Sequence, residues 1–202
     1  MKISVLLPYK ENFSSNYAGA VSLFVKDTIH NSKFLKTSYI FGNMPYKKAF
    51  LKNYINIDLE KSILQSNSKN YVTKFLEKEK KINSDIIEIH NRPNYIQYLK
   101  EVDNKKIILY FHNDPLSMNG SSTVEDRIRL LNRIDKILFN SKWSQERFFI
   151  GIGNKVLLKQ KTSICYQSTS KFKVDFKNKE NLISFVGKLN NAKGYDIFGK
   201  AI

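Results

Sequence analysis

Residues 86–115 read IIEIHNRPNYIQYLKEVDNKKIILYFHNDP, and this stretch decides the fold. It holds two short apolar runs, 86–90 and 107–111, each ending in a polar cluster: His90-Asn91-Arg92-Pro93 after the first and His112-Asn113-Asp114-Pro115 after the second. Residues 94–101 between them are enough for a short helix. Runs this apolar suit strands covered on both faces, and a strand that returns through a helix to another strand pairs with it in parallel. The same alternation continues in both directions. Strands are expected at 3–7, 38–41, 136–139, 163–166 and 182–186, and helices at 18–31, 69–82, 124–133 and 143–150. Val21, Phe24, Val25 and Thr28 fall at helical spacing, as do Ile128, Leu131 and Ile134. Residues 44–68 show no clear period. The expected fold is α/β, a Rossmann-like parallel sheet with helices on both faces.

Composition bounds what such a chain can be. It has 202 residues, 42% hydrophobic and 13% aromatic, which suits one packed domain plus a fragment. No run approaches the roughly 20 apolar residues of a membrane span. The opening MKISVLLPYK has too short an apolar stretch for a signal peptide and reads as a first strand. One cysteine, Cys165, excludes an internal disulfide and a cysteine-based metal cluster, and fits a reducing cytoplasm. As a small apolar residue in an expected strand it reads as core.

The formal charge is +16. A genome biased toward Lys and Asn codons explains such a surplus, as do an anionic membrane surface or phosphorylated substrate, and nucleic acid. Near Lys74 the sequence KFLEKEKK interleaves glutamates, as a solvated helix face would. The stretch from Lys155 to Lys179 is more one-sided, with seven Lys against the single acidic Asp175. No zinc-finger spacing and no aromatic-basic RNA motif occurs, so no nucleic-acid partner is expected. A cytoplasmic protein that can sit at the inner face of the membrane fits this balance.

In an open parallel sheet ligands gather at the carboxyl ends of the strands, and the polar clusters lie there. After the first strand, PYKENFSSNYAGA ends in Gly19 before a helix, where backbone N–H groups and the helix dipole favour an anion. The three-glycine dinucleotide fingerprint is missing, which disfavours NAD, and Gly19 as a purely structural helix start fits equally well. Arg92 can grip a carboxylate or phosphate, pair with Glu88, or cap a neighbouring helix. His90, on an apolar strand, reads as a buried, hydrogen-bonded core residue. His112, Asn113 and Asp114 can orient sugar hydroxyls, or the latter two can close an Asx turn. Ser141 reads first as a helix cap and second as a hydroxyl facing the cleft. Residues 181–202, NLISFVGKLNNAKGYDIFGKAI, read as strand, basic turn and helix start. Lys188, Lys193 and Gly194 stand around that turn as an anion site. There is no G-x-S-x-G elbow for a serine hydrolase. Three scattered histidines offer no metal-ligand spacing, so no metal and no cofactor are expected.

These residues, in this order, resemble the family 4 glycosyltransferases of the GT-B fold, particularly those of bacterial surface-polysaccharide and lipopolysaccharide synthesis. The resemblance rests on Gly19, HNRP at His90, HNDP at His112, FNSKW at Phe139, and the pairs Gly187-Lys188 and Lys193-Gly194 with four residues between the cations. It implies that residues 1–170 form the N-terminal, acceptor-side domain, 171–180 a linker, and 181–202 the beginning of a C-terminal nucleotide-sugar-binding domain. It implies a metal-independent, retaining transfer of a sugar from a nucleotide-sugar donor to a glycan or lipid-linked acceptor. The donor phosphates would fall to Gly19, Lys188, Lys193 and Gly194, the transferred sugar to His112, and the cleft to His90 and Arg92. Lys188 stands where that family usually has Arg, which keeps the charge and loses the bidentate fork. The family's paired glutamates for the donor would lie beyond Ile202, so little or no transferase activity is expected of these residues alone. The competing reading is a non-catalytic Rossmann-like module that binds an acceptor glycan or an anionic membrane surface.

Overall fold

The computed structural model describes residues 1–59, 66–100, 102, 104–153, 160–168, 181–187, 189 and 191–202. Clustering by proximity divides the chain into two compact units, Met1–Ser170 and Lys171–Ile202.

The first unit is built on seven described strands: β1 (Ile3–Leu6), β2 (Ser38–Gly42), β3 (Tyr54–Asn56), β4 (Ile86–His90), β5 (Lys106–Phe111), β6 (Lys136–Phe139) and β7 (Thr162–Ile164). All pair in parallel, in the order β3-β2-β1-β4-β5-β6-β7. The order reverses at β1, so β1 and β4 flank a switch point where the connections leave in opposite directions and open a crevice. The register sets Leu6 beside Ile89, His90 beside Tyr110 and Phe111 beside Phe139.

Side chains alternate across this sheet, and each face has its own core. Val5, Leu7 and Ile40 pack on Val21, Val25 and Ile29 of α1 (Ala20–His30). Leu6, Phe41, Ile89, Leu109, Phe111 and Phe139 pack on the opposite face. There they meet Tyr71, Val72 and Phe75 of α2 (Asn67–Ile82), Leu130 and Leu131 of α3 (Val124–Arg133), and Phe148 of α4 (Lys142–Phe148). Each of these three helices starts on a hydroxyl: Ser66 accepts from the Lys69 N–H, Thr123 from Asp126 and Ser141 from Ser144. Helix α2 ends at Asn83 in the left-handed conformation, φ 50°, which its short amide side chain tolerates.

The α/β fold, a Rossmann-like parallel sheet with helices on both faces, is thus the one the sequence predicts, with local departures. Strand β3 lies in the stretch without period. It is three residues long and sits at the sheet edge, too short to show an alternation. The expected helix at 94–101 is a 3₁₀ turn, Pro93–Tyr98, entered through a proline that lacks an N–H and fixes φ. Cys165 is exposed instead of core, because β7 is an edge strand that stops at Ile164.

In the second unit the described residues form a 3₁₀ turn, Asn191–Lys193, and a helix α5 (Tyr195–Ala201). Gly194 joins them at φ +73°, a conformation costly for any residue with a Cβ. The ring of Phe185 packs on Tyr195 and Phe198, with centroids 5.4 Å away in both cases. The expected strand at 182–186 does not form, and Leu182, Ile183 and Val186 are exposed. A strand has no hydrogen bonds of its own and exists only beside a neighbour. No described residue pairs with this segment. The expected linker, 171–180, and Lys188 lie outside the described residues.

Candidate functional site

The carboxyl ends of β4 and β5 bring together residues that are 22 apart in sequence. His90 ends β4 and is fully buried, and its Nδ1 lies 2.8 Å from Nε2 of His112, the residue after β5. On its other side His90 Nε2 meets the carboxylate of Glu88, two residues back on the same face of the strand, at 2.7 Å. Outward, Nδ1 of His112 meets the amide nitrogen of the exposed Gln167 at 2.7 Å. Four side chains thus form one line of hydrogen bonds: Glu88, His90, His112, Gln167.

Aromatic rings hold the line in place. Tyr110 stacks on His112 at 4.3 Å and on His90 at 5.6 Å, and Phe24 of α1 closes on His112 edge-on at 5.1 Å. The Tyr110 hydroxyl is occupied, donating to the carbonyl of Cys165. Burial raises its pKa. The same enclosure strips water from His112, and together with the neighbouring His90 imidazole, which would repel a charged His112 ring if protonated, it pushes the imidazole down from 6.5 to about 3. His112 is therefore a neutral ring at physiological pH, able to donate at one nitrogen and accept at the other.

Backbone anchors fix the loop around it. Asn91 is buried and left-handed, φ 56°. Its Oδ1 accepts from the His112 N–H at 3.3 Å, and its own N–H donates to the Tyr110 carbonyl at 2.8 Å. Asn140 donates through Nδ2 to the His112 carbonyl at 2.8 Å. Arg92 donates to the Asn91 carbonyl at 2.7 Å. It leaves Glu88 to His90, one of the partners the sequence held open for it. Asn91, Arg92 and Asn113 line a single open polar pocket with Ser68, Asn94 and Asn119. The pocket supplies amide donors and acceptors and one guanidinium, a lining that suits hydroxyl groups and a carboxylate or phosphate.

Other expected site residues have structural partners. Asp114 forms a two-pronged ion pair with Arg147, Nη2 to Oδ2 at 2.7 Å and Nε to Oδ1 at 3.2 Å. Those hydrogen bonds hold its carboxyl below the usual carboxylate range. It also caps a 3₁₀ turn, Pro115–Ser117, by accepting from the Leu116 N–H, which is the Asx-type turn. Ser141 caps α4 and bonds the Ser144 hydroxyl at 2.8 Å.

Gly19 caps α1, and the carboxylate of Glu11 stands over it. Glu11 Oε1 accepts from the Ser22 N–H at 3.1 Å, and a Cβ on Gly19 would lie only 2.3 Å from that oxygen. The positive end of α1 thus already holds an internal anion. In the second unit, Lys193 ends the 3₁₀ turn and Gly194 begins α5, with the Gly194 N–H donating to Asn191 at 2.9 Å.

Sequence reasoning missed the hydrogen-bonded line itself. Glu88 and His90 alternate on one strand face, a polar pair within an apolar run. That pair was the available signal, because a strand face that keeps both residues must hydrogen-bond them.

The class of protein this fold defines is a Rossmann-like α/β domain of the kind found in GT-B structures. No protein-family model and no curated protein sequence matches the chain. Solved structures do. HepE of Anabaena, crystallised with UDP and glucose, is 14% identical with a TM-score of 0.52 over 84% of this chain and 45% of its own. The sucrose-phosphate synthase of Thermosynechococcus elongatus is 11% identical with a TM-score of 0.56 over 84% of this chain and 49% of its own. A UDP-N-acetylglucosamine 2-epimerase is 10% identical with a TM-score of 0.51 over 81% and 47%. The chain spans about half the length of these structures, and at such identities the likeness is one of fold.

Proposed function

We infer that these residues form the acceptor-side part of a GT-B glycosyltransferase that works with a nucleotide-sugar donor. One observation carries the reading: a neutral, hydrogen-bonded His112 and an amide-lined pocket share the carboxyl ends of β4 and β5, where this sheet opens. Support comes from solved structures of the same fold, one of them holding UDP and glucose. In this reading His112 contacts the transferred sugar, and Asn91, Arg92 and Asn113 hold the glycan or lipid-linked acceptor. Lys193 and Gly194, with Lys188, take the donor diphosphate. Gly19, assigned a donor phosphate as well, stands at a helix end whose Ser22 N–H the Glu11 carboxylate already holds. Family 4 membership, a retaining outcome and independence of metal belong to the same proposal.

Amide chemical-shift mapping tests the assignment. Oligosaccharides are expected to shift the signals of Asn91, Arg92 and Asn113, and UDP-sugars or GDP-sugars those of His112, Lys193 and Gly194, unchanged by a chelator. Saccharides that leave the first set unmoved overturn the acceptor assignment, and nucleotide sugars that leave the second set unmoved overturn the donor assignment. A second reading, attachment to an anionic membrane, is favoured by a groove in which Lys69, Lys80 and Lys100 surround Leu76 and Tyr98. Sedimentation with phosphatidylglycerol vesicles would show it, and its loss in high salt would mark it as electrostatic. No described helix is long and apolar enough to cross a membrane.

A further inference from the structure

The hydrogen-bond line at the β4–β5 ends has a direction, and elementary valence sets it. The Glu88 carboxylate only accepts, so the His90 Nε2 beside it at 2.7 Å carries a proton. A neutral His90 then has a bare lone pair at Nδ1, and His112 Nε2, 2.8 Å away, must be the donor. That leaves His112 Nδ1 as a lone pair, which the Gln167 amide caps at 2.7 Å. With Glu88 ionised and His90 neutral, the three atoms are assigned in turn, and the outermost is an acceptor at the accessible end.

We propose that Glu88, His90 and His112 form a proton relay whose working end is His112 Nδ1, so that a proton taken from a ligand hydroxyl there leaves its positive charge on His90 beside Glu88. The step balances within the chain. As the O–H bond breaks, its electron pair stays on oxygen and the proton binds His112 Nδ1. The proton on His112 Nε2 passes to His90 Nδ1. His112 ends neutral, with its hydrogen moved from Nε2 to Nδ1, and His90 ends as an imidazolium donating both to His112 and to the Glu88 carboxylate. Burial disfavours charge on His112 itself, and the relay avoids placing it there. The groups facing the pair are Glu88 from β4, Tyr110 from β5, Phe24 from α1 and Gln167 after β7. Lys26 and Asp27 of α1 pair with each other at 3.0 Å. Gln167, exposed and held by one hydrogen bond to the ring, is the group a ligand hydroxyl would replace. Glu88 and His90 are positioning residues that act through His112. The identity of the hydroxyl, one on the sugar that His112 contacts, rests on the function proposed above.

The relay can be read without ligand or turnover, from the imidazole nitrogen resonances of the ¹⁵N-labelled chain through a pH titration. At high pH, His112 is expected as the Nε2–H form. On acidification, His90 is expected to become doubly protonated in the same transition that converts His112 to the Nδ1–H form. In Glu88→Gln, with folding checked by circular dichroism, the joint transition should move down by about 1–3 pH units, the usual effect of removing an adjacent opposite charge. An Nδ1–H form of His112 at high pH overturns the proposal, as does a His112 imidazolium appearing while His90 stays neutral. If Glu88→Gln does not fold, the wild-type titration decides alone. Because no sugar is present, a relay observed in a chain whose amides ignore saccharides would sink the glycosyltransferase reading and leave the relay standing.

Discussion

At the scale of single residues the buried imidazole pair makes stability depend on pH. His112 has its folded value at about 3 against 6.5 when free, so the unfolded chain binds the proton first as pH falls. The stability tied to its neutral form is therefore complete above about 6.5 and lost progressively down to about 3. His90 and Tyr110 stack against the ring with Glu88 behind them, so protonating His112 would put charge where water has been excluded. Thermal melts of wild type and His112→Gln at pH 7 and pH 5 check this. The wild type should lose more on acidification, and parallel curves would refute it. Asn91 allows a second residue-scale prediction, because its two roles can be separated. Asn91→Gly loses the Oδ1 bond to the His112 N–H but suits the left-handed backbone, whereas Asn91→Ala loses the same bond and keeps a Cβ at φ 56° without the amide side chain that eases that conformation. Alanine should be the worse of the two by about 1–2 kcal/mol in urea denaturation. Equal losses would mean that the hydrogen bond alone matters.

At the scale of elements, α1 is the helix whose start the sequence marks as an anion site and the structure fills from within. Glu11 reaches across Gly19 to the Ser22 N–H, so Glu11→Gln should destabilise the chain by about 0.5–1 kcal/mol at low ionic strength, and by less in salt. A loss that salt leaves unchanged would point to packing in place of the dipole. Glu11 also shows how far the sequence was legible. Gly19 marks its loop in the sequence, but a carboxylate nine residues before a helix carries no local signal that it will fold back on the helix end. Strands β1, β2, β4, β5 and β6 were readable because parallel strands buried on both faces leave unbroken apolar runs such as Ile107 to Phe111. Strand β3, three half-buried residues at the sheet edge, leaves no such run. Leu182 to Val186 has the run but no neighbour among the described residues, so apolar content alone misleads there. At the site, His90, Asn91, Arg92, Asn113 and His112 were visible as polar punctuation at strand ends. Gln167 lies at a strand end too, but its pairing with His112 was not legible, because the fold and not sequence distance brings them together, and Glu88 was readable as a partner of His90 only through the two-residue period of their strand.

At the scale of the whole molecule the dominant fact is a formal charge of +16 on 202 residues. Ion pairs such as Arg147 with Asp114 and Lys106 with Asp135 answer some of that charge locally, the second of them largely exposed. Pairs of that kind contribute little, and the uncompensated remainder repels itself most in the compact state. Sodium chloride should therefore raise the melting temperature as the screening length shrinks from about 30 Å at 0.01 M to about 10 Å at 0.1 M. A chain held together chiefly by its ion pairs would shift the other way. Screening acts on every lysine alike, whereas a built diphosphate site responds to the chemistry of the anion. Pyrophosphate at an ionic strength matched to sodium chloride separates the two. An additional rise that saturates with concentration means binding to the folded state, since a ligand stabilises by RT ln(1 + [L]/Kd). Pyrophosphate and chloride curves that coincide would leave the basic character of the chain as a diffuse surface property and remove the support for a diphosphate site near Lys193 and Gly194. If the additional rise appears, Glu11→Gln tells where the anion sits. A larger response in that variant places it at the start of α1, where removing the internal carboxylate's charge weakens its hold on the vacated backbone donors. An unchanged response places it elsewhere in the chain.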